Sequence, residues 1–146
     1  MTEKIFFLLV NLPVSLAGLG ESLAINSYRT LKFLNLSITV VGDDCDPLCG
    51  LSSELRFITG NNILEELNLY VCEDRAESED WSAFDSVLTG ACAFPILHRV
   101  SVEIYWLYGP WMDDLNARNL FMESYKKDKF PQLVESKAVE FNFRML

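Results

Sequence analysis

His98 is the only histidine in this 146-residue chain, and so the first place to look for acid-base chemistry near neutral pH. It opens the alternating run LHRVSVEI beside Arg99, with no serine or cysteine motif identifiable as a nucleophilic partner. Cys45 and Cys49 stand among Asp43, Asp44 and Asp46, a mixture of soft and hard donors. A C-x-x-x-C lacking a nearby histidine or second cysteine pair does not make a zinc site. The phosphate-cradling G-x-x-x-x-G-K-[ST], the dinucleotide G-x-G-x-x-G and the metalloprotease H-E-x-x-H are all missing from the sequence. EDRAESED gathers five carboxylates against Arg75, a composition typical of a solvated connection. The chain therefore reads as non-enzymatic, without cofactor or metal. Tyr105, Trp106, Tyr108 and Trp111 crowd around Gly109-Pro110, either as a ligand platform or as a cover for the end of a core, and the cover is the commoner use.

Composition narrows the partners. Half the residues are hydrophobic, enough for one domain with a buried core. A formal charge of -9 argues against nucleic acid and anionic membrane, both of which are read by Lys and Arg. Cys45, Cys49, Cys72 and Cys92 follow no disulfide-framework spacing and read as reduced thiols of a cytoplasmic or nuclear protein. The alternative is secretion: IFFLLVNLPVSLAG behind Lys4, ending Ser15-Leu16-Ala17, has the outline of a signal peptide. Asn11 and Pro13 interrupt that run, Glu3 precedes it, and it is too short to span a membrane of about 30 Å.

The positioning elements repeat. LEELNLYVC places Leu64, Leu67, Leu69 and Cys72 at L-x-x-L-x-L-x-x-C, the strand signature of a leucine-rich repeat. The phase recurs at Leu31, Leu34, Leu36 and Ile38, and at Leu97, Val100, Val102 and Ile104, each step being 33 residues. Ile5, Leu8, Val10 and Leu12 fit one shortened step earlier, and Val139, Phe141 and Phe143 fit after an insertion. Strands are expected near 5–12, 31–38, 64–71, 97–104 and 138–143 of a single domain, 1–146.

Between the strands lie helical stripes, since parallel neighbours need a crossover of a dozen residues or more. Leu16, Leu19 and Leu23 suggest the first, weakened by Gly18 and Gly20. Asp46 and Pro47 suggest the cap and first position of a second carrying Leu48, Leu51, Leu55 and Ile58, ending near Gly60. Trp81, Phe84, Val87 and Leu88 mark a third, with Ser82 and Asp85 at capping-box spacing. Met112, Leu115 and Met122 mark a fourth, while Phe94-Pro95-Ile96-Leu97 and Phe130-Pro131-Gln132-Leu133 read as the same turn used twice. The expected fold is α/β: a short leucine-rich-repeat-like solenoid with parallel strands on the concave face and helices on the convex face.

Over residues 28–146, the segments LRFITGNNILEELNLYVCED, DWSAFDSVLTGACAFPILHRVSVEI and FPQLVESKAVEFNF resemble the repeat region of a group of basidiomycete proteins. In these an F-box precedes irregular leucine-rich repeats. The resemblance implies a protein-binding module corresponding to the substrate-recognition repeats of an F-box-type ubiquitin ligase receptor. No F-box is identified here; Leu12-Pro13 is followed by Val14 and Ser15 rather than by that motif's acidic position.

Strand side chains alternate, so residues between the leucines face away from the core. That selects Asn35 and Ser37, Asn68 and Tyr70, Ser101 and Glu103, and Glu140 and Asn142 as a concave partner-binding surface of two ladders, with Tyr70 as anchor; an inert solvated face is the plain alternative. Lys32 with Glu65 and Glu66 with Arg99 share rungs and are expected to pair across strands. The expected ligand is a protein, and uncapped ends near Ile5–Leu12 or Phe141–Leu146 suggest self-association.

Overall fold

A computed structural model describes residues 4–11, 18–26, 29–40, 48, 50–73, 80–106 and 114–145. In chain order these form β1 (Lys4–Asn11), α1 (Leu19–Asn26), β2 (Leu31–Val40), α2 (Leu51–Arg56), β3 (Glu66–Glu73), α3 (Asp80–Thr89), β4 (Arg99–Trp106), α4 (Leu115–Lys129), α5 (Pro131–Glu135) and β5 (Glu140–Met145). The fold is α/β. All five strands join one sheet in sequence order, every pair parallel.

The buried set follows from strand alternation. Leu34, Leu36 and Ile38, then Leu67, Leu69 and Val71, then Val100, Val102 and Ile104, are all nearly or wholly buried, while the residues between them are half-buried. Leu51 and Leu55 of α2, Trp81 and Phe84 of α3, Leu133 of α5 and Tyr125 of α4 close the same cluster. The described helices thus cover one face of the sheet. Each fully buried Leu or Phe contributes about 1.5–3 kcal/mol, so this alternation is the main reason the register is fixed.

The register corrects several expectations. β3, β4 and β5 start two residues later than expected; bends occupy the positions before β5, and Leu64 and Leu97 are buried in the turns before β3 and β4. There the Leu64 amide donates to Asn62 Oδ1 and the Leu97 amide to the Phe94 carbonyl. β1 is slipped by two residues: Phe6, Leu8 and Val10 pair with Leu34, Leu36 and Ile38, after an irregularity between Lys4 and Ile5. Cys72 is half-buried rather than core, because it alternates with the buried Val71 and lies in register with Thr39 and Tyr105. The expected insertion before the last strand is filled by α5 and the bends after it, so the two Phe-Pro turns differ: the first leads directly into β4 and the second opens a helix.

The helices also depart in detail. α2 begins at Leu51 behind Gly50, which has φ 78 and no side-chain cap, although Leu48 is buried as expected. The α3 stripe of Trp81, Phe84, Val87 and Leu88 is buried throughout. Asp85 does not cap its own helix; its two carboxylate oxygens accept the Gln132 and Leu133 amides at 3.0 and 2.8 Å, closing the start of α5. On α4 it is Phe121, Met122 and Tyr125 that meet the core, whereas Leu115 is exposed. Asp46, Pro47, Met112, most of the acidic loop and the Gly109-Pro110 turn lie outside the described residues. No described helix is long and apolar enough to cross a membrane.

Candidate interaction face

The face turned away from the helices carries four rows of side chains, aligned by the register across β2 to β5. Nearest the strand starts are Phe33, Glu66, Arg99 and Glu140. Next come Asn35, Asn68, Ser101 and Asn142, then Ser37, Tyr70, Glu103 and Arg144, and last Cys72 and Tyr105. In β1, Phe7 and Leu9 stand in register with Asn35 and Ser37.

This arrangement corrects the fourth rung of both ladders. Glu140 does not continue the asparagine row; it falls one row back, beside Arg99. Asn142 takes its place next to Ser101, and Arg144, which sequence reasoning missed, is the partner of Glu103. The cause is the two-residue offset of β5. Alternation alone carries no signal for Arg144, because a two-residue slip of β5 leaves Phe141 and Phe143 on the core side as well.

The first row is an ion network. Arg99 Nη1 donates to Glu66 Oε1 at 3.2 Å, Arg99 Nε lies 3.6 Å from Glu140 Oε2, and His98 Nε2 lies 3.7 Å from Glu66 Oε1. Just before it, Lys32 Nζ meets Glu65 Oε1 at 3.2 Å, so both expected cross-strand pairs form. His98 is exposed, and its backbone amide donates to the Glu65 carbonyl at 2.9 Å.

Further along the strands the side chains are differently engaged. The Asn68 carboxamide donates to Asn35 Oδ1 at 2.7 Å, which fixes its orientation and leaves its own oxygen turned elsewhere. Ser37, Ser101 and Asn142 have no protein hydrogen-bond partner for their side chains among the described residues. Burial pushes the Tyr70 phenol above its usual range, reinforced by the nearby Cys72, Tyr105 and Glu103, so Tyr70 keeps its proton and remains a donor. Arg144 Nη1 approaches Glu103 Oε1 at 3.4 Å, a long pair with 71% of the arginine side chain exposed. Ser101, Glu103, Asn142 and Arg144, with Lys126 from α4, line a hollow of about 420 Å³ at this end.

A second hollow of about 500 Å³ lies between the ends of α2 and α3, among Arg56, Ser86 and Cys92. Cys92 is exposed, has φ 58 and, like Cys72, is not in a disulfide. Cys45, Cys49, Tyr108 and Trp111 lie outside the described residues, and no cluster of three metal-binding side chains occurs among the described ones. No family model, curated protein or solved structure matches the chain.

Proposed function

We propose that this chain is a protein-recognition module of leucine-rich-repeat type, non-enzymatic, corresponding to the substrate-holding repeats of an F-box-type ubiquitin ligase receptor. The observation that carries the reading is the division of labour on the polar face. Charged residues at the strand starts satisfy one another, while carboxamide, hydroxyl and phenol groups farther along keep hydrogen-bonding capacity on a rigid parallel sheet. Side chains held by their strands lose little further freedom when a partner docks, so their hydrogen bonds translate into affinity efficiently. The 33-residue step that places Asn35 on Asn68, and Glu66 on Arg99, supports a solenoid in which each unit adds one strand and one helical connection. The pairing of Lys4–Asn11 into the sheet favours a structural strand over a secretion signal, and with it the cytoplasm or nucleus over the cell exterior.

The test is capture of partners from an extract of the source organism, followed by calorimetry with each purified partner. A variant with Asn68, Ser101 and Asn142 all changed to alanine is expected to lose binding while its circular dichroism spectrum is retained. Unchanged affinity in that variant would remove the polar face from the reading.

A further inference from the structure

Glu103 sits in a setting that its pairing with Arg144 does not account for. Tyr70 stands directly across the strand pair from it, and Tyr105 follows two residues later on the same face, opposite Cys72. The two phenols are therefore diagonal neighbours, and Glu103 stands beside Tyr70 and two residues before Tyr105 on the same face, a spacing within reach of aromatic side chains. Burial raises the Tyr70 phenol first, and its neighbours Cys72, Tyr105 and Glu103 add to this, in keeping with their closeness on the face. Tyr105 is 42% exposed, while Tyr70 and Glu103 are half-buried, so all three groups stay open to a partner on this face.

We infer that Tyr70, Glu103 and Tyr105 form a subsite for a cationic side chain, an arginine or lysine of an extended segment of a protein partner. This rests on the polar face being the docking surface. A carboxylate supplies a charge-assisted hydrogen bond, and ring faces add cation–π attraction that grows as the cation loses water. Tyr70, its phenol pushed up by burial, keeps its proton and adds no charge of its own. The overall charge of -9 steers basic segments toward the chain and repels acidic ones. Arg144, reaching Glu103 from β5 at 3.4 Å and largely exposed, is then a competitor that an incoming guanidinium displaces. Next to the site, the Ser101 hydroxyl and the Asn68 and Asn142 carboxamides lie one row away, where they can bond the backbone of the same segment.

The experiment is an NMR titration of the full chain, following the Tyr70 and Tyr105 ring signals, with N-acetyl-arginine methylamide as probe and N-acetyl-citrulline methylamide as its uncharged counterpart. The arginine probe is expected to move both rings saturably and the citrulline probe to leave them in place. Glu103→Gln should weaken the response about tenfold, the scale of losing a hydrogen bond to a charged group. Arg144→Gln should strengthen it about two- to threefold by removing the competing cation. Should Glu103→Gln fold poorly, Tyr105→Leu, at an exposed position, must weaken binding instead. Unmoved rings, equal response to citrulline, or weaker binding by Arg144→Gln would overturn the subsite. A captured partner lost with the Asn68/Ser101/Asn142 variant but indifferent to Glu103→Gln would retire the cation subsite alone; indifference to both would retire the docking face as well.

Discussion

Glu54 reaches from α2 to the start of α1, and its backbone carbonyl oxygen occupies the space that a Cβ on Gly20 would need. The same residue's carboxylate accepts the Gly18 amide at 3.2 Å and the Gly20 amide at 2.9 Å, satisfying donors that a helix start leaves open. The glycine that weakens α1 as an isolated helix is what lets α1 lie against α2. Gly20→Ala separates the two effects. Helix propensity alone predicts stabilisation of about 1 kcal/mol, and the steric clash predicts a loss of about 1–3 kcal/mol. A net loss is expected in urea unfolding, because the obstructing atom is backbone and cannot swing aside. A gain would show that the two helices are free to move apart.

Asp85 performs the equivalent task at the other end of the chain, joining α3 to α5 through the Gln132 and Leu133 amides. It is 1% exposed, so water cannot replace it. Asp85→Ala should cost about 1–3 kcal/mol by leaving two amides without their acceptor. Asp85→Asn should recover only part of this, since one of its two positions becomes a donor facing a donor. Equal stability of all three forms in urea would mean that α5 finds another cap.

The same burial predicts a pH signature. Desolvation pushes the Asp85 carboxyl above its ordinary range, and the two amide donors only partly offset it. A folded-state pKa above the unfolded value means that the native protein binds the proton more tightly. The contribution to stability is then fully present below the unfolded carboxylate pKa and is lost as pH rises through the folded one. The difference in unfolding free energy between wild type and Asp85→Asn should therefore shift toward wild type on acidification through that window. A difference independent of pH, or one shifting the other way, would mean that the amides dominate over burial.

How much of this could be read beforehand depends on where the determining interactions lie. The sheet order and the β2–β3 and β3–β4 steps are legible because Leu34, Leu67 and Val100 repeat at a fixed spacing of 33 residues, which sets the register, while period-two burial excludes only odd slips. β5 was misplaced by two residues, an error that leaves Phe141 and Phe143 on the core side and so violates no local rule. Only packing distinguishes the two alternatives: the Phe143 ring stacks on Tyr125 at 5.7 Å, and Phe130 lies 5.4 Å from it. The spacing of Asp85 from Ser82 fits a local cap, whereas its partners are 47 and 48 residues away and leave no local trace. The polar face is half legible for the same reason: Asn68 and Tyr70 follow from the repeat, Arg144 only from the register of the last strand.

Arg99 is the hub of the first row, bonded to Glu66 on one side and close to Glu140 on the other. With 43% of its side chain exposed, it contributes in the range of surface pairs. Arg99→Met, which keeps the aliphatic stem, should cost about 0.5–1 kcal/mol at low salt, and the loss should shrink at high ionic strength. A larger, salt-independent loss would mark the network as part of the fold rather than trim for the register.

Phe130 carries the heaviest load of any single residue at the chain's far end. It is fully buried, with ring centroids 5.1 Å from Trp81, 5.0 Å from Phe141 and 5.4 Å from Phe143, so it joins α3 to β5. Phe130→Ala removes those contacts and opens a cavity that backbone on three elements cannot close, for an expected loss of about 3–5 kcal/mol. The effect should also be local. β5 is the last strand of the described sheet, held on one side only by β4, so its amides should exchange with solvent sooner in the variant than those of β3, which is paired on both sides. Uniform acceleration across β3, β4 and β5 would mean instead that the sheet unfolds as one cooperative unit and that Phe130 stabilises all of it.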